Sequence, residues 1–337
     1  MYIRLPTILL FFYIFIFWYK KERIFFIKVD FAVCEILVFD GRDKSIFSFF
    51  HSLDKKNLFV IKKSRIIVIK DDHNKRIYKY SFNDSAREIR NNFLALKDTE
   101  KLLSPKSIQI IEGVHGVLSV EELIDAKEIS LKDLKSNIFE DSLYAKVCVM
   151  LNSFHTNTLE KVNINIIDEI NQYDFLVRKK DIFGFNKVKD SLFSMCDFDK
   201  YKPACKARIH GDVTHRNILK KNQEIYFIDF ERAGFEFPEF DFINFVLDFN
   251  MHNKRDTSYK SYICYLLKVY LEKEYISIFD QLRTYKLFKS KNPEILSLIY
   301  LKYLLRQIAI VTNVSYYERG IDIDSIYSFI NKKIGNV

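Results

Sequence analysis

The sequence predicts an α+β chain with two lobes. A β-rich amino-terminal lobe covers residues 21–120 and a mainly helical carboxy-terminal lobe covers residues 121–337, behind a hydrophobic segment at residues 1–20. Three observations predict this. Before residue 120 the apolar residues come in short runs parted by polar turns, the pattern of strands. After residue 130 they recur at helical spacing over long stretches. That helical region is broken once, at Arg208–Glu231, where a short hairpin is framed by charged residues. With 337 residues there is room for two domains, and a hydrophobic content of 48% fills a sizeable core.

The chain opens on Leu5–Tyr19, an apolar run without charge that closes on Lys20 and Lys21. It is shorter than the roughly 20 residues a spanning helix needs, and no small-residue cleavage site follows it. Three readings stand: a membrane-inserted or interfacial anchor with Trp18 and Tyr19 at the headgroups, an element buried in the lobe, or a stretch upstream of the physiological start. The first makes this a cytoplasmic protein with peripheral membrane contact.

Arg23–Val60 alternates apolar runs with polar breaks and reads as the start of a mixed sheet, with Asp40–Asp43 as a turn. Arg65–Lys70 and Arg76–Phe82 flank the polar Asp71–Asn74 and predict a hairpin. Ser85 with Glu88 three residues on forms a capping box for a helix running to about Leu103. Ser107–Glu112 and Gly116–Val120 are two further β-like runs. Leu131–His155 has the spacing of a long amphipathic helix. Residues 159–202 read as two helices parted by Gly184. Helices follow at Tyr259–Leu271, Tyr275–Lys289, Pro293–Tyr317 and Ile323–Ile334.

The chemistry is concentrated in Arg208–Glu231, RIHGDVTHRNILKKNQEIYFIDFE. Asn217-Ile-Leu starts one strand, Lys220–Gln223 is turn material, and Ile225–Asp229 is an apolar strand ending in a carboxylate. A hairpin returns its ends to one place, so Asn217 and Asp229 are expected to converge, with Asp212 on the loop before them. Phosphoryl transfer asks for little more. One carboxylate orients the acceptor hydroxyl and takes its proton, while an amide oxygen and a second carboxylate hold Mg²⁺ on the nucleotide phosphates. Asp212 suits the first role, and Asn217 and Asp229 suit the metal.

This spacing resembles the catalytic loop and metal-binding Asp-Phe-Gly of protein kinases. Gly211 replaces the usual Arg before the Asp, and Glu231 replaces the last Gly. His-Gly-Asp, four residues, Asn, then Asp-Phe-Glu is similar to the aminoglycoside phosphotransferase and choline kinase family. The resemblance implies a protein-kinase-like fold, ATP or GTP as phosphate donor, Mg²⁺, and a small-molecule or sugar acceptor. It also implies a lysine that grips the nucleotide phosphates and a helix glutamate that holds that lysine. Lys79 is the candidate for the first and Glu88 for the second. Lys70, in Val68-Ile69-Lys70, is the rival lysine, but the strand of Lys79 directly precedes the helix. Backbone around Val120–Leu123 falls where the interlobe hinge would meet the adenine. Helices within 159–202 would help build the acceptor pocket. Asp241, following Pro238, would anchor the catalytic loop through backbone N–H groups, and His155 reads as a structural contact. Glu231 either assists the metal or faces solvent. The chain has no Gly-x-Gly-x-x-Gly, which counts against a protein kinase. The rival reading is a pseudokinase, a scaffold or nucleotide-sensing module; the presence of Asp212, Asn217 and Asp229 together argues for an enzyme.

The formal charge of +9 comes from lysines spread along the chain, with no dense basic block, so no nucleic-acid partner is expected. The five cysteines form no Cys-x-x-Cys and read as reduced thiols. Residues 159–202 carry eight Lys or Arg and eight Asp or Glu, and residues 250–337 carry fourteen against eight. A pocket drawn from such segments favours a neutral or anionic acceptor, such as a surface-glycan component, over a polycationic antibiotic.

Overall fold

The computed structural model describes residues 2–6, 23–30, 33–40, 49, 58–62, 66–82, 86–97, 103–113, 116–130, 143–177, 181–195, 201–251, 259–282, 293–312 and 323–334. Residues 7–19 of the apolar run, Ser85 of the capping box and residues 131–142 of the long helix lie outside the described residues. Among those described, no helix is long and apolar enough to cross a membrane. The chain divides into two compact units. The first is Met1–Lys127 with Tyr226–Arg232; the second is Glu128–Ile225 with Ala233–Val337.

In the first unit, Tyr2–Pro6 (β1), Arg23–Asp30 (β2) and Val33–Asp40 (β3) form a sheet of order β1-β3-β2. Leu58–Lys62 (β4), Ile66–Asp71 (β5), Arg76–Phe82 (β6), Ser107–Glu112 (β7) and Gly116–Glu122 (β8) form a second, of order β4-β5-β6-β8-β7. Both sheets are antiparallel throughout their described pairings. This corrects the mixed sheet expected from residue 23 onward. Neighbours such as β2 and β3 follow each other directly, with no helical crossover to bring a strand back parallel. The predicted hairpin is β5–β6. Asp71 accepts the Asn74 N–H at 2.9 Å, and Lys75 closes the turn at a left-handed φ of 53°.

The helix after β6 is Ala86–Lys97 (α1). Ala86, Ile89, Phe93 and Leu96 recur at helical spacing and are buried. Ala86 and Ile89 join Ile66, Val68 and Val117 in one core, with Ile77 and Ile110 against it. The helix therefore covers the sheet face that carries Val68. By cross-strand register this is also the face of Lys79, Ser119 and Glu121.

The second unit is mainly helical. After Lys127–Glu128 (β9) come Leu143–Asn157 (α2), Glu160–Asn165 (β10), Ile166–Asn171 (α3), Ile182–Phe193 (α4) and Tyr201–Ile209 (β11). Ile218–Lys221 (β12) and Glu224–Phe227 (β13), whose last two residues are counted with the first unit, form the predicted hairpin, turned by Asn222 at φ 55°, which Asn tolerates. Gly234–Glu236 (β14) and the helices Glu239–Met251 (α5), Tyr259–Leu271 (α6), Tyr275–Leu282 (α7), Pro293–Thr312 (α8) and Ile323–Ile334 (α9) complete it. Strands β10, β11 and β14 form an antiparallel sheet.

Two expectations fail here. Residues 159–202 are not two helices alone: Glu160–Asn165 and Tyr201–Ile209 are strands that pair with each other, so tertiary pairing overrides their weak local signal. Gly184 does not separate helices. It lies inside α4, where a Cβ would come within 2.7 Å of the Tyr327 ring of α9. The glycine is there to let that ring close on the helix. Helix α8 is buried nearly all round, Lys302 included, and Lys302 is neutralised by Glu236 at 2.7 Å and by Glu169.

Candidate active site

The first unit holds Lys79. It faces Val68 on one side and Ser119 on the other in the β5-β6-β8 register. At 6% exposure its ammonium cannot reach water freely, so it must be paired within the protein. Its Nζ lies 3.3 Å from Asp229 Oδ1 and 3.4 Å from Glu121 Oε2. Burial pulls the lysine pKa down, but the charges of Glu121, Asp229 and Glu231 outweigh that and hold it well above the ordinary lysine value. Lys70 is a surface residue whose Nζ meets Asp72 at 2.9 Å. Of the two candidate lysines, Lys79 is the buried one and the one with two carboxylate partners.

The expected Lys79–Glu88 pairing is not what the structure builds. Glu88 lies on the exposed side of α1. The helix residue turned toward the lysine's surroundings is Asn92, fully buried within the apolar stripe. Asn92 Nδ2 donates to Glu121 Oε1 at 2.5 Å, and Asn92 Oδ1 accepts the Phe230 N–H at 2.7 Å. Glu121, read from sequence as the start of the hinge, is the penultimate residue of β8 and 3% exposed. Two hinge donors are already used within this unit: the Glu122 N–H bonds Lys106 O and the Leu123 N–H bonds Lys75 O. Asp229 itself adopts a left-handed φ of 70°, uncommon for a residue with a side chain. The Asn92 bond to the next N–H helps to hold that backbone.

The second unit holds the candidate catalytic loop. Strand β11 delivers His210-Gly211-Asp212. Gly211 sits at φ 83°, a conformation open to glycine and costly for the arginine found here in protein kinases. Asp241, at the start of α5, accepts the His210 N–H and the Gly211 N–H, both at 2.7 Å. His155 Nε2 is 2.9 Å from the same carboxylate. An ionised carboxylate only accepts, so this nitrogen carries the hydrogen. Burial raises the Asp241 pKa, but the His155 hydrogen bond, the charges of His155 and His210 and the Gly211 N–H together bring it below the ordinary carboxylate range. The loop-anchoring role expected for Asp241 and the structural role expected for His155 are both present.

Seven residues after Asp241, two turns along the same face of α5, Asp248 holds the far end of the loop. Its Oδ2 accepts the His215 N–H at 2.8 Å and lies 2.7 Å from His215 Nδ1. Between these anchors Asn217 Nδ2 donates to Asp212 O at 2.8 Å and to Asp212 Oδ2 at 3.4 Å. That turns the carboxamide oxygen of Asn217 away from Asp212. Asp212 and Asn217 are thus brought together in one unit, and Lys79 and Asp229 in the other.

Among the described residues, no three His, Cys, Asp or Glu side chains are grouped as a metal cage. Mg²⁺ needs none. It binds through one or two protein oxygens and completes its shell with phosphates and water. The Asn217 carboxamide oxygen and the Asp229 carboxylate are hard oxygen donors of the required type.

Residues 180–270 match the model of the phosphotransferase enzyme family, APH, a span that contains both anchors, Asp212, Asn217 and Asp229. No curated protein sequence matches the chain. Among solved structures, an apo thermostable mutant of aminoglycoside phosphotransferase APH(4)-Ia shares 13% identity at a TM-score of 0.54, covering 87% of this chain and 98% of its own. The amicoumacin kinase hAmiN, in complex with AMP-PNP, Ca²⁺ and Ami, shares 14% at 0.51, covering 88% and 94%. A choline/ethanolamine kinase family protein from Mesorhizobium loti shares 13% at 0.46, covering 83% and 87%. The kinase-like α+β fold expected from the sequence is the fold of this chain.

Proposed function

We propose that this chain, a phosphotransferase by the family of residues 180–270, moves the terminal phosphoryl group of ATP or GTP onto a hydroxyl of a sugar or related small molecule. The observation that carries the reading is the built catalytic loop within that matched span. Asp241 and Asp248 clamp its two ends, and between them the Asn217 amide is bonded to Asp212.

In this reading Asp212 orients the acceptor hydroxyl and accepts its proton as the oxygen attacks phosphorus in line. Asn217 and Asp229 are the residues that would hold the metal, which would supply charge neutralisation on the nucleotide phosphates. Lys79 supplies a permanent cation to those phosphates. Each group contributes by position and fixed charge, which is most of what this reaction requires. The similarity in fold to hAmiN, a kinase described with AMP-PNP and Ca²⁺, supports a nucleotide and a divalent cation here.

For the acceptor, the charge of the helical segments supports a neutral or anionic molecule, a surface-glycan component included, over a polycationic antibiotic. Labelled ATP and GTP with Mg²⁺, tested against pooled neutral sugars, acidic sugars, amino alcohols and kanamycin-like aminoglycosides, examine both levels. Transfer to a sugar is the expected result. Transfer to the aminoglycosides alone overturns the acceptor class, and absence of transfer to any hydroxyl, with nucleotide bound, favours the scaffold reading.

A further inference from the structure

In the reading above Lys79 is the phosphate lysine, and its ammonium is held from an unexpected direction. The carboxylate comes from strand β8, and the helix contributes an amide. Lys79 and Ser119 are directly opposite in the β6–β8 register, and Glu121 lies two residues further along the same face. Glu121 Oε2 faces Lys79 Nζ at 3.4 Å; its Oε1 accepts Asn92 Nδ2 at 2.5 Å and the Ser119 hydroxyl at 3.3 Å. Asn92 Oδ1 then accepts the N–H of Phe230, the residue after Asp229.

These groups form a chain with a direction. The ammonium is ion-paired with one oxygen of the carboxylate, the amide NH₂ donates to the carboxylate's other oxygen, and the amide oxygen receives the backbone N–H. Turning Asn92 over would set its NH₂ against the Phe230 N–H and its oxygen against Glu121, so only one orientation is satisfied. Asn92 and Glu121 are 0% and 3% exposed, where a polar group is costly unless fully bonded. A purely structural contact under α1 would be served as well by apolar side chains, as the neighbouring Ile89 and Phe93 are. The two ends of this chain are the two groups that meet the nucleotide and its metal.

We propose that Glu121 and Asn92 are the positioning residues of the nucleotide site: Glu121 fixes the Lys79 ammonium, and Asn92 locks Glu121 to the backbone of the Asp229 segment. The proposal rests on Lys79 being the phosphate lysine.

The test uses the full chain and two probes, Mg²⁺·AMP-PNP and adenosine, which lacks phosphates. In Glu121→Gln the new NH₂ must face either the ammonium or the Asn92 NH₂, so a donor meets a donor. Losing one hydrogen bond to a charged group lowers affinity for AMP-PNP by about tenfold or more, while adenosine affinity stays unchanged. The exchange Asn92→Asp with Glu121→Gln restores the directional chain. Lysine then donates to the Gln oxygen, the Gln NH₂ to the Asp, and the Phe230 N–H to the Asp. It should return AMP-PNP affinity to within about threefold of the parent. A folded Glu121→Gln with parental AMP-PNP affinity overturns the proposal, and so does equal loss of both probes, which marks collapse of the lobe. If Glu121→Gln does not fold, the exchange variant decides alone: folded with AMP-PNP affinity restored supports the proposal, and any other result overturns it. Lys79→Met separates the premise. Parental AMP-PNP affinity in that variant removes Lys79 from the phosphates, whereas its loss beside an unaffected Glu121→Gln refutes only the positioning.

Discussion

Replacing Asp241 by Asn tests whether the His210–Asp212 loop is held by one buried charge. The carboxylate is fully buried and receives two backbone N–H bonds at 2.7 Å and the His155 bond at 2.9 Å. Asparagine keeps the shape but replaces one oxygen by NH₂, which must then face a donor. Hydrogen bonds to charged groups contribute about 1.5–3 kcal/mol each. Losing one and opposing a buried donor with another costs roughly 3–5 kcal/mol, a large part of a typical total of about 5–15 kcal/mol. The effect depends on pH. The folded pKa of Asp241 lies below the ordinary range, so the stabilisation is complete above the unfolded carboxyl pKa of about 4 and is lost as pH falls through the folded value. Urea unfolding of parent and variant at pH 7 and pH 3 therefore shows a large gap that narrows on acidification. A gap equal at both pH values, or none at pH 7, refutes the reasoning.

Three further outcomes follow from the same geometry. Asp212→Asn keeps nucleotide binding but loses about 10²–10⁴-fold in turnover, because the amide does not accept the hydroxyl proton; parental turnover with the identified acceptor removes Asp212 from the chemistry. Asp229→Ala abolishes Mg²⁺-dependent nucleotide binding, and Asn217→Ala weakens it less, since a neutral amide contributes less than a charge; calorimetric titration with and without Mg²⁺ reads the order, and unchanged metal dependence in Asp229→Ala contradicts it. Glu236→Ala leaves the buried Lys302 with Glu169 as its one carboxylate partner among the described residues and removes the Tyr173 hydroxyl's acceptor at 2.8 Å, costing roughly 3–5 kcal/mol; a thermal midpoint unchanged from the parent speaks against that cluster as a structural tie.

The parts legible in the sequence were those written in local spacing. The β5–β6 and β12–β13 hairpins carry polar turns between apolar runs, and His210-Gly211-Asp212 with Asn217 carries the loop. Asp241 is legible through the family resemblance, in which an Asp follows a Pro at this distance after the metal-binding Asp. The missed parts depend on which face a side chain shares with distant residues. The kinase resemblance points to Glu88 as the helix glutamate after the strand of Lys79, but the buried stripe Ala86, Ile89, Phe93, Leu96 turns it outward. The same stripe carries a signal for Asn92, a polar residue in the middle of an apolar face. Glu121 has a similar signal, two residues after Ser119 on a strand otherwise buried, but the kinase resemblance places the interlobe hinge at this point of the chain. Asp248 lies seven residues after Asp241, a spacing that returns to one helical face. Strands β10 and β11 left almost no trace, because each finds its pairing partner some forty residues away.

Lys79 has a chemical character fixed by its surroundings. A buried lysine alone would lose its proton easily and become a base or nucleophile. Here burial acts in that direction, and Glu121, Asp229 and Glu231 act against it strongly enough to hold the pKa well above that of a free lysine. The group therefore stays an ammonium at any pH the protein meets, and it serves as a fixed cation only. The same carboxylates explain why the strand-borne Glu121 matters. Asp229 is the residue proposed to take the metal, and an ammonium that leaned on Asp229 alone would have to choose between it and the nucleotide. A second carboxylate, itself bonded to Asn92, would keep the cation in place if Asp229 were engaged by a metal. The proposed arrangement would then let phosphate and metal, two ligands of opposite charge, be held without either displacing the groups that hold the other.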